Sequence, residues 1–169
     1  MSCPYVVGDV LLVAVLAWSS WPDRSIRAAP GGRGPAAISS VSCPVSRPNG
    51  GHPPGQSPSQ WYHGTSGLWT VLWPKSTATV PPQNVQRNGR LYVKVPWWRG
   101  PGSHGTLRIH GHRLDKPAPA LRADVPTGYG DSGFQASAIL FPTVGCWQVT
   151  GRAGKGSLTM VMRVLKVQR

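Results

Sequence analysis

The stretch FPTVGCWQVTGRAGKGSLTMVMRV, residues 141–164, has the pattern of a β-hairpin. Apolar and polar residues alternate on both sides of a Gly-Lys-Gly turn, which is typical of two antiparallel strands that bury one face. On the first strand Trp147 and Val149 share a face, and Cys146 lies on the other. We expect Trp147 to face the core, because its ring buries a large apolar area. Cys146 then points away from that core.

The same period-two alternation recurs upstream, and no segment has helical periodicity. The chain of 169 residues contains 21 Gly and 18 Pro, which favours short strands joined by turns. The other segments that predict strands are LWTVLW (68–73), LYVKV (91–95), TLRIHGHRL (106–114), PALRADV (119–125) and FQASAILF (134–141). Together with the hairpin they make about seven strands, and an immunoglobulin-like antiparallel β-sandwich is the predicted all-β fold of residues 43–169.

The first part of the chain has a different composition. Val10–Trp18 is an apolar run with the length of a signal-peptide core, and it is too short to span a bilayer, so residues 1–19 are predicted to be a signal peptide. The residues before that run contain Asp9 and no Lys or Arg, so an apolar element of the fold is the alternative. Residues 20–42 are rich in Pro, Gly, Ser and Ala and predict a disordered linker.

The cysteines bear on both the fold and the compartment of the protein. Cys3 would be lost with a cleaved leader, which leaves Cys43 and Cys146 as a pair in a chain that looks exported. Disulfides persist outside the cytoplasm, so we expect a bridge between them. It would hold the segment from Cys43 to Gln60 over the outer face of the sheet. The alternative is a pair of buried free thiols in a cytoplasmic protein.

The charge is strongly positive. Eighteen Lys and Arg stand against five Asp and no Glu, which gives a net charge of +13. Carboxylates are too few for paired acid-base catalysis to be the default expectation. The basic residues are scattered singly, which is typical of a soluble basic surface, although an anionic polymer remains a possible partner.

Two short motifs resemble known sites. GYGDSG, residues 128–133, matches a dinucleotide-binding pattern, but a strand and not a helix is predicted after it, so a tight glycine loop is favoured. Its Asp131-Ser132-Gly133 also resembles an aspartic-protease motif, although that chemistry requires a second aspartate.

His110 and His112 lie two residues apart on one strand face, with His104 in a nearby glycine-rich loop. Three imidazoles make a possible zinc or copper site. Arg108 and Arg113 bring positive charge to the same strand, which favours exposed histidines without a metal. No cofactor is predicted.

Trp97, Trp98 and Arg99 form the most suggestive surface candidate, with Lys94 close in sequence. Adjacent residues of a regular strand face opposite sides, so one of the two rings is expected to be exposed. An exposed ring beside positive charge can stack on sugars or bases or lie at a membrane interface. The alternative is that both rings close the end of the sandwich.

Five segments carry a resemblance to a known group: CPVSRPNGGHPPG, WYHGTSGLWTVLWP, KVPWWRG, LRADVPTGYGDSGFQ and FPTVGCWQVTGR. In this order they resemble a family of small uncharacterised bacterial proteins with a C-terminal GCWxVTGR motif. The likeness extends from about Cys43 to Val167. It implies an exported or lipid-anchored β-sandwich and no particular reaction. Lipid-anchored members carry a Cys directly after the apolar run, and none follows Val10–Trp18 here, which argues against a lipid anchor.

The sequence therefore predicts an extracytoplasmic, monomeric and non-enzymatic binding or accessory module of the cell envelope. Two alternatives remain open. One is a metal-dependent enzyme or metal-binding protein that uses His110 and His112. The other is a protein that binds an anionic polymer, nucleic acid or polysaccharide, through a basic surface that bears Trp97 and Trp98.

Overall fold

The computed structural model describes residues 42–65 and 67–168, which contain eleven β-strands and no α-helix. Two 3₁₀ turns, Pro74–Ser76 and Pro82–Asn84, lie between strands. The strands are β1 (Tyr62–Gly64), β2 (Leu68–Val71), β3 (Thr77–Val80), β4 (Leu91–Lys94), β5 (Trp97–Arg99), β6 (Arg108–Arg113), β7 (Arg122–Asp124), β8 (Gly133–Gln135), β9 (Ala138–Phe141), β10 (Gly145–Ala153) and β11 (Gly156–Lys166). The predicted signal peptide and all but the last residue of the predicted linker lie outside the described residues.

The strands form three sheets. Sheet A has the order β1-β2-β5-β8, sheet B the order β3-β11-β10-β6, and sheet C the order β4-β9-β7. Among the described strands every pair within a sheet is antiparallel except β3 and β11, which run parallel. Each sheet contributes a large aromatic side chain that is fully buried: Trp97 from sheet A, Trp147 from sheet B and Phe141 from sheet C. One hydrophobic core therefore serves all three sheets.

The prediction of an all-β sandwich is confirmed, but the structure has eleven strands where the sequence predicted about seven. Three strands were missed, and two of them, β1 and β5, have only three residues, too few to show alternation. The predicted strand 134–141 is two strands, β8 and β9. Ala136 and Ser137 separate them, and the backbone N–H and C=O of Ser137 exchange hydrogen bonds with Val95, which extends the β4–β9 pairing by one residue.

The β10–β11 hairpin has the geometry that its alternation predicted. Trp147 and Val149 are fully buried, and Met160 and Met162 on β11 face the same core. Gly151 belongs to this buried face, and a Cβ at its position would lie 2.5 Å from the ring of Trp97. A glycine is therefore required there by the close approach of a core tryptophan. The Trp97 indole N–H donates a hydrogen bond of 3.2 Å to the Ser137 hydroxyl, so the buried ring leaves no polar group unpaired.

Cys43 and Cys146 form the predicted disulfide, with their Cα atoms 5.4 Å apart and a sequence separation of 103. Cys146 lies on the face opposite Trp147 and is still only 3% exposed, because the segment that begins at Cys43 covers it. Ser46 continues this attachment. Its N–H donates to the Val161 carbonyl at 2.8 Å, and its hydroxyl accepts from the Val161 N–H at 2.8 Å. The segment is therefore held to β11 by hydrogen bonds as well as by the bridge.

Asp115 fastens the start of β10 to the end of β6. Its carboxylate accepts hydrogen bonds from the Arg113 guanidinium at 2.6 and 3.1 Å, and from the Cys146 N–H at 3.2 Å. The hydrogen bond from Arg113 is the largest cause that lowers the pKa of Asp115, from 3.8 to about 2, although partial burial opposes it. The ionised carboxylate is thus the form that the fold stabilises.

The bridge closes a long loop, so its loss should cost stability chiefly by freeing the unfolded chain. We expect a Cys43→Ser/Cys146→Ser variant to lose about 4 kcal/mol of unfolding free energy in urea titrations. Wild-type protein under reducing conditions should show a comparable loss. Equal unfolding midpoints for oxidised and reduced wild-type protein would contradict this role.

Because the pKa of Asp115 is lower in the folded protein, this carboxylate contributes stability above about pH 4 that is lost as pH falls toward 2. Asp115→Asn should lower the unfolding free energy at pH 7 by about 1 kcal/mol, since solvent partly screens the pair. The deficit should shrink between pH 4 and pH 2. Urea titrations across this range measure it, and a deficit that is the same at pH 7 and pH 2 would rule out the ion pair as its cause.

Candidate binding surfaces

An aromatic row crosses the outer face of sheet A. Trp98 on β5 contacts Tyr62 on β1 edge to face, with ring centroids 5.3 Å apart, and Phe134 on β8 at 5.4 Å. Tyr129, in the loop before β8, extends the row at 5.8 Å from Phe134. We call Tyr62, Trp98, Phe134 and Tyr129 the aromatic stripe. Tyr62 is buried at 8% exposure, Trp98 is half-buried, and Phe134 and Tyr129 are exposed at 45% and 38%.

Trp69, a further aromatic residue, lies beside the stripe on the same face of sheet A. Trp69 on β2 lies opposite both Gly64 and Trp98 in the register and is only 5% exposed. A Cβ at Gly64 or at Gly100 would lie within 2.5 Å of the Trp69 ring, so both positions require the absence of a side chain. Trp69 is therefore fixed by backbone on both sides, which gives its neighbour Trp98 a firm support.

A surface groove of about 390 Å³ lies beside Trp98. Pro53 and Pro54, from the segment that the disulfide attaches, line it together with Pro101 and His104. The lining is mostly apolar and carries no carboxylate. A groove with proline walls and a tryptophan suits a ligand with flat apolar faces better than a strongly charged one.

Arg99 connects the groove to the exposed end of the stripe. Trp97, Trp98 and Arg99 alternate in, out and in along β5, so the guanidinium points inward and is only 3% exposed. It donates to the carbonyls of Gly105 at 2.6 Å, Tyr129 at 3.1 Å and Gly130 at 2.9 Å. Its Nε has no hydrogen-bond partner among the described residues. Arg99 therefore holds together two loops, one of which carries Tyr129.

Lys94, Trp97, Trp98 and Arg99 were the candidate binding residues, with one of the two rings expected at the surface, and the structure removes Trp97 and Arg99 from that set. Trp97 is fully buried in the core, and Arg99 is buried where its guanidinium bonds to the carbonyls of two loops. Trp98 is half-buried on the outer face of sheet A, and Lys94 is exposed at the end of β4 in sheet C. Strand alternation explains the split at Trp97 and Trp98, and the inward direction of Arg99 follows from the same alternation.

Sequence reasoning missed Tyr62, Phe134 and Tyr129 as partners of Trp98. They come from two distant parts of the chain, Tyr62 from β1 and the other two from the segment 129–134, and only strand pairing brings both parts beside Trp98. Phe134 was a usable signal, because it directly follows the glycine-rich GYGDSG segment at the start of a predicted strand. In that segment Gly128, Gly130 and Gly133 all have positive φ and lead into a strand, as expected for a tight loop.

The candidate histidines His104, His110 and His112 are not grouped as a metal site in the part of the chain that the structure describes. His110 and His112 are exposed on β6, and His104 lines the groove beside Trp98. Within residues 42–65 and 67–168, no three His, Cys, Asp or Glu side chains are grouped so that they could hold a metal ion. No helix in this part of the chain is long and apolar enough to cross a membrane.

The chain matches no protein-family model, no curated protein and no solved structure. The resemblance to small exported bacterial proteins with a GCWxVTGR motif therefore stays a prediction.

Arg99→Lys keeps the positive charge and removes the planar guanidinium, whose several N–H donors reach both loops. We expect it to lower the unfolding free energy by about 2 kcal/mol, because buried carbonyls lose a charged donor. It should also speed hydrogen exchange at the Gly105 amide, which donates to the Asp131 carbonyl between the two loops. Arg122→Lys, on the exposed side of β7, is the matched control. If the Gly105 amide of Arg99→Lys is protected from hydrogen exchange as well as in the wild type, Arg99 does not hold the two loops together.

Proposed function

We propose that this protein is an exported, non-enzymatic binding module that stacks a polysaccharide chain of the cell envelope on its aromatic stripe. The observation that carries the proposal is the accessible part of the stripe, the half-buried Trp98 and the exposed Phe134 and Tyr129, with a groove beside Trp98. Tyr62 is buried and supports Trp98 from the side. Sugar rings have an apolar face that packs flat on an aromatic ring, and a row of rings repeats that contact along a chain.

Two features of the groove favour a sugar chain over a nucleic acid. The walls formed by Pro53, Pro54 and Pro101 add apolar contacts and no charge. The one cation among the lining residues with a fixed charge is Arg99, and its guanidinium is already occupied by carbonyl groups. A nucleic-acid groove instead requires several free Lys or Arg side chains along the phosphate backbone.

Export and envelope location are supported by the disulfide. A bridge between Cys43 and Cys146 is compatible with an oxidising compartment, and it fixes the segment that forms one wall of the groove. The metal-dependent alternative has no grouped ligand set among the described residues to support it. The anionic-polymer alternative loses its single basic, tryptophan-bearing surface, because Trp97 and Arg99 are buried.

The test is retention of the purified protein on insoluble polysaccharides, with peptidoglycan, chitin and cellulose as probes. Phe134→Ala removes an exposed ring at little structural cost, and Trp98→Ala removes the centre of the stripe. Each should raise the apparent Kd by roughly 5- to 30-fold, which corresponds to the loss of about 1–2 kcal/mol of stacking.

Trp61→Ala is the matched control, because Trp61 is 37% exposed and makes no ring contact with the stripe. Its affinity should equal that of the wild type. Circular dichroism and unfolding midpoints confirm that the variants are folded. The proposal fails if no polysaccharide retains the protein, or if Trp61→Ala weakens retention as much as Phe134→Ala does.

A further inference from the structure

Two arginines face each other on the outer side of sheet B. In the antiparallel register of β6 and β10, Arg108 is directly opposite Arg152, and both side chains are exposed. Like charges at directly opposite positions of a sheet repel each other and lower stability. The pair is therefore unfavourable unless an anionic group binds between the two guanidinium groups.

No carboxylate of the described residues supplies that negative charge. The described part of the chain contains one ion pair, between Arg113 and Asp115, and neither Arg108 nor Arg152 takes part in it. The neighbouring positions on the same face are no better suited. His110 follows Arg108 on β6, and Thr150 precedes Arg152 on β10. The arginine pair is thus uncompensated within the fold.

A surface cavity of about 410 Å³ lies at this pair. Thr106, Arg108, Arg152, Ala153 and Gly154 line it, so its polar groups are two guanidinium groups, a hydroxyl and backbone. Lys155, the next residue of the hairpin turn, is exposed and adds a third positive charge close in sequence. No residue of the aromatic stripe lines this cavity, so the two surfaces are separate sites.

We propose that the Arg108–Arg152 cavity is a binding site for a phosphate group carried on a larger molecule. A guanidinium presents parallel N–H donors that match the oxygens of phosphate, and two of them balance its double negative charge. The cavity volume is many times a water molecule's share of liquid volume, about 30 Å³, so it has room for the carrier as well as the phosphate. This site does not depend on the polysaccharide proposal.

The probes are inorganic phosphate and glucose 6-phosphate, with glucose and sodium chloride at matched ionic strength as reference solutes. Both phosphates should raise the unfolding midpoint of the wild type in a saturable way, because they bind the folded state. If the cavity also contacts the carrier, glucose 6-phosphate should saturate at the lower concentration. Equal saturation would contradict a contact with the carrier and reduce the site to one for phosphate alone.

Arg108→Gln and Arg152→Gln should each weaken the apparent affinity for phosphate by about tenfold. Without phosphate and at low salt, both variants should unfold at the same or a higher midpoint than the wild type, because the repulsion is gone. Arg163→Gln is the matched control. Arg163 is exposed on the same sheet but lies opposite Cys146 and not opposite a second arginine.

The affinity of Arg163→Gln for phosphate should equal that of the wild type. The proposal is overturned if all three variants lose affinity equally, or if sodium chloride stabilises the wild type as much as phosphate does. Either result would mean that phosphate stabilises the protein only through the overall positive charge of the chain, and not through a specific site.

Discussion

The structure depends on two neighbouring residues of β10 that face opposite ways. Trp147 points into the core that all three sheets share, and Cys146 points outward to the segment that begins at Cys43. The same strand therefore fixes the interior and attaches the covering segment. Asp115 keeps the start of this strand in place through the Cys146 N–H. The groove next to Trp98 follows from that attachment, because Pro53 and Pro54 belong to the attached segment.

A second constraint is the strict alternation along β5. The three residues Trp97, Trp98 and Arg99 have three different roles only because successive side chains of a strand point to opposite faces. Trp97 closes the core over Gly151, Trp98 forms the centre of the aromatic stripe, and Arg99 holds the loop that carries Tyr129. A shift of this strand by one residue would expose the buried ring and bury the exposed one.

The sequence was sufficient for the features that depend on local alternation or on cysteine pairing. It predicted the hairpin, the buried Trp147, the all-β fold and the disulfide between Cys43 and Cys146. It was not sufficient for features that depend on which strands pair. Nothing local to Trp98 indicates that Tyr62 and Phe134 lie on either side of it, and nothing local to Arg108 indicates that Arg152 lies opposite. The inward direction of Arg99 was missed for a different reason, because an arginine is rarely buried without a carboxylate partner.

The central claim is that the Cys43–Cys146 bridge exists in the working protein and fixes the segment that forms one wall of the groove. The most direct measurement is intact mass after alkylation, with and without prior reduction, on protein isolated from the compartments of its native host. The account predicts that Cys43 and Cys146 are alkylated only after reduction, in protein recovered from outside the cytoplasm. If both thiols are alkylated without reduction, in protein recovered from the cytoplasm, the bridge is absent and the account is contradicted.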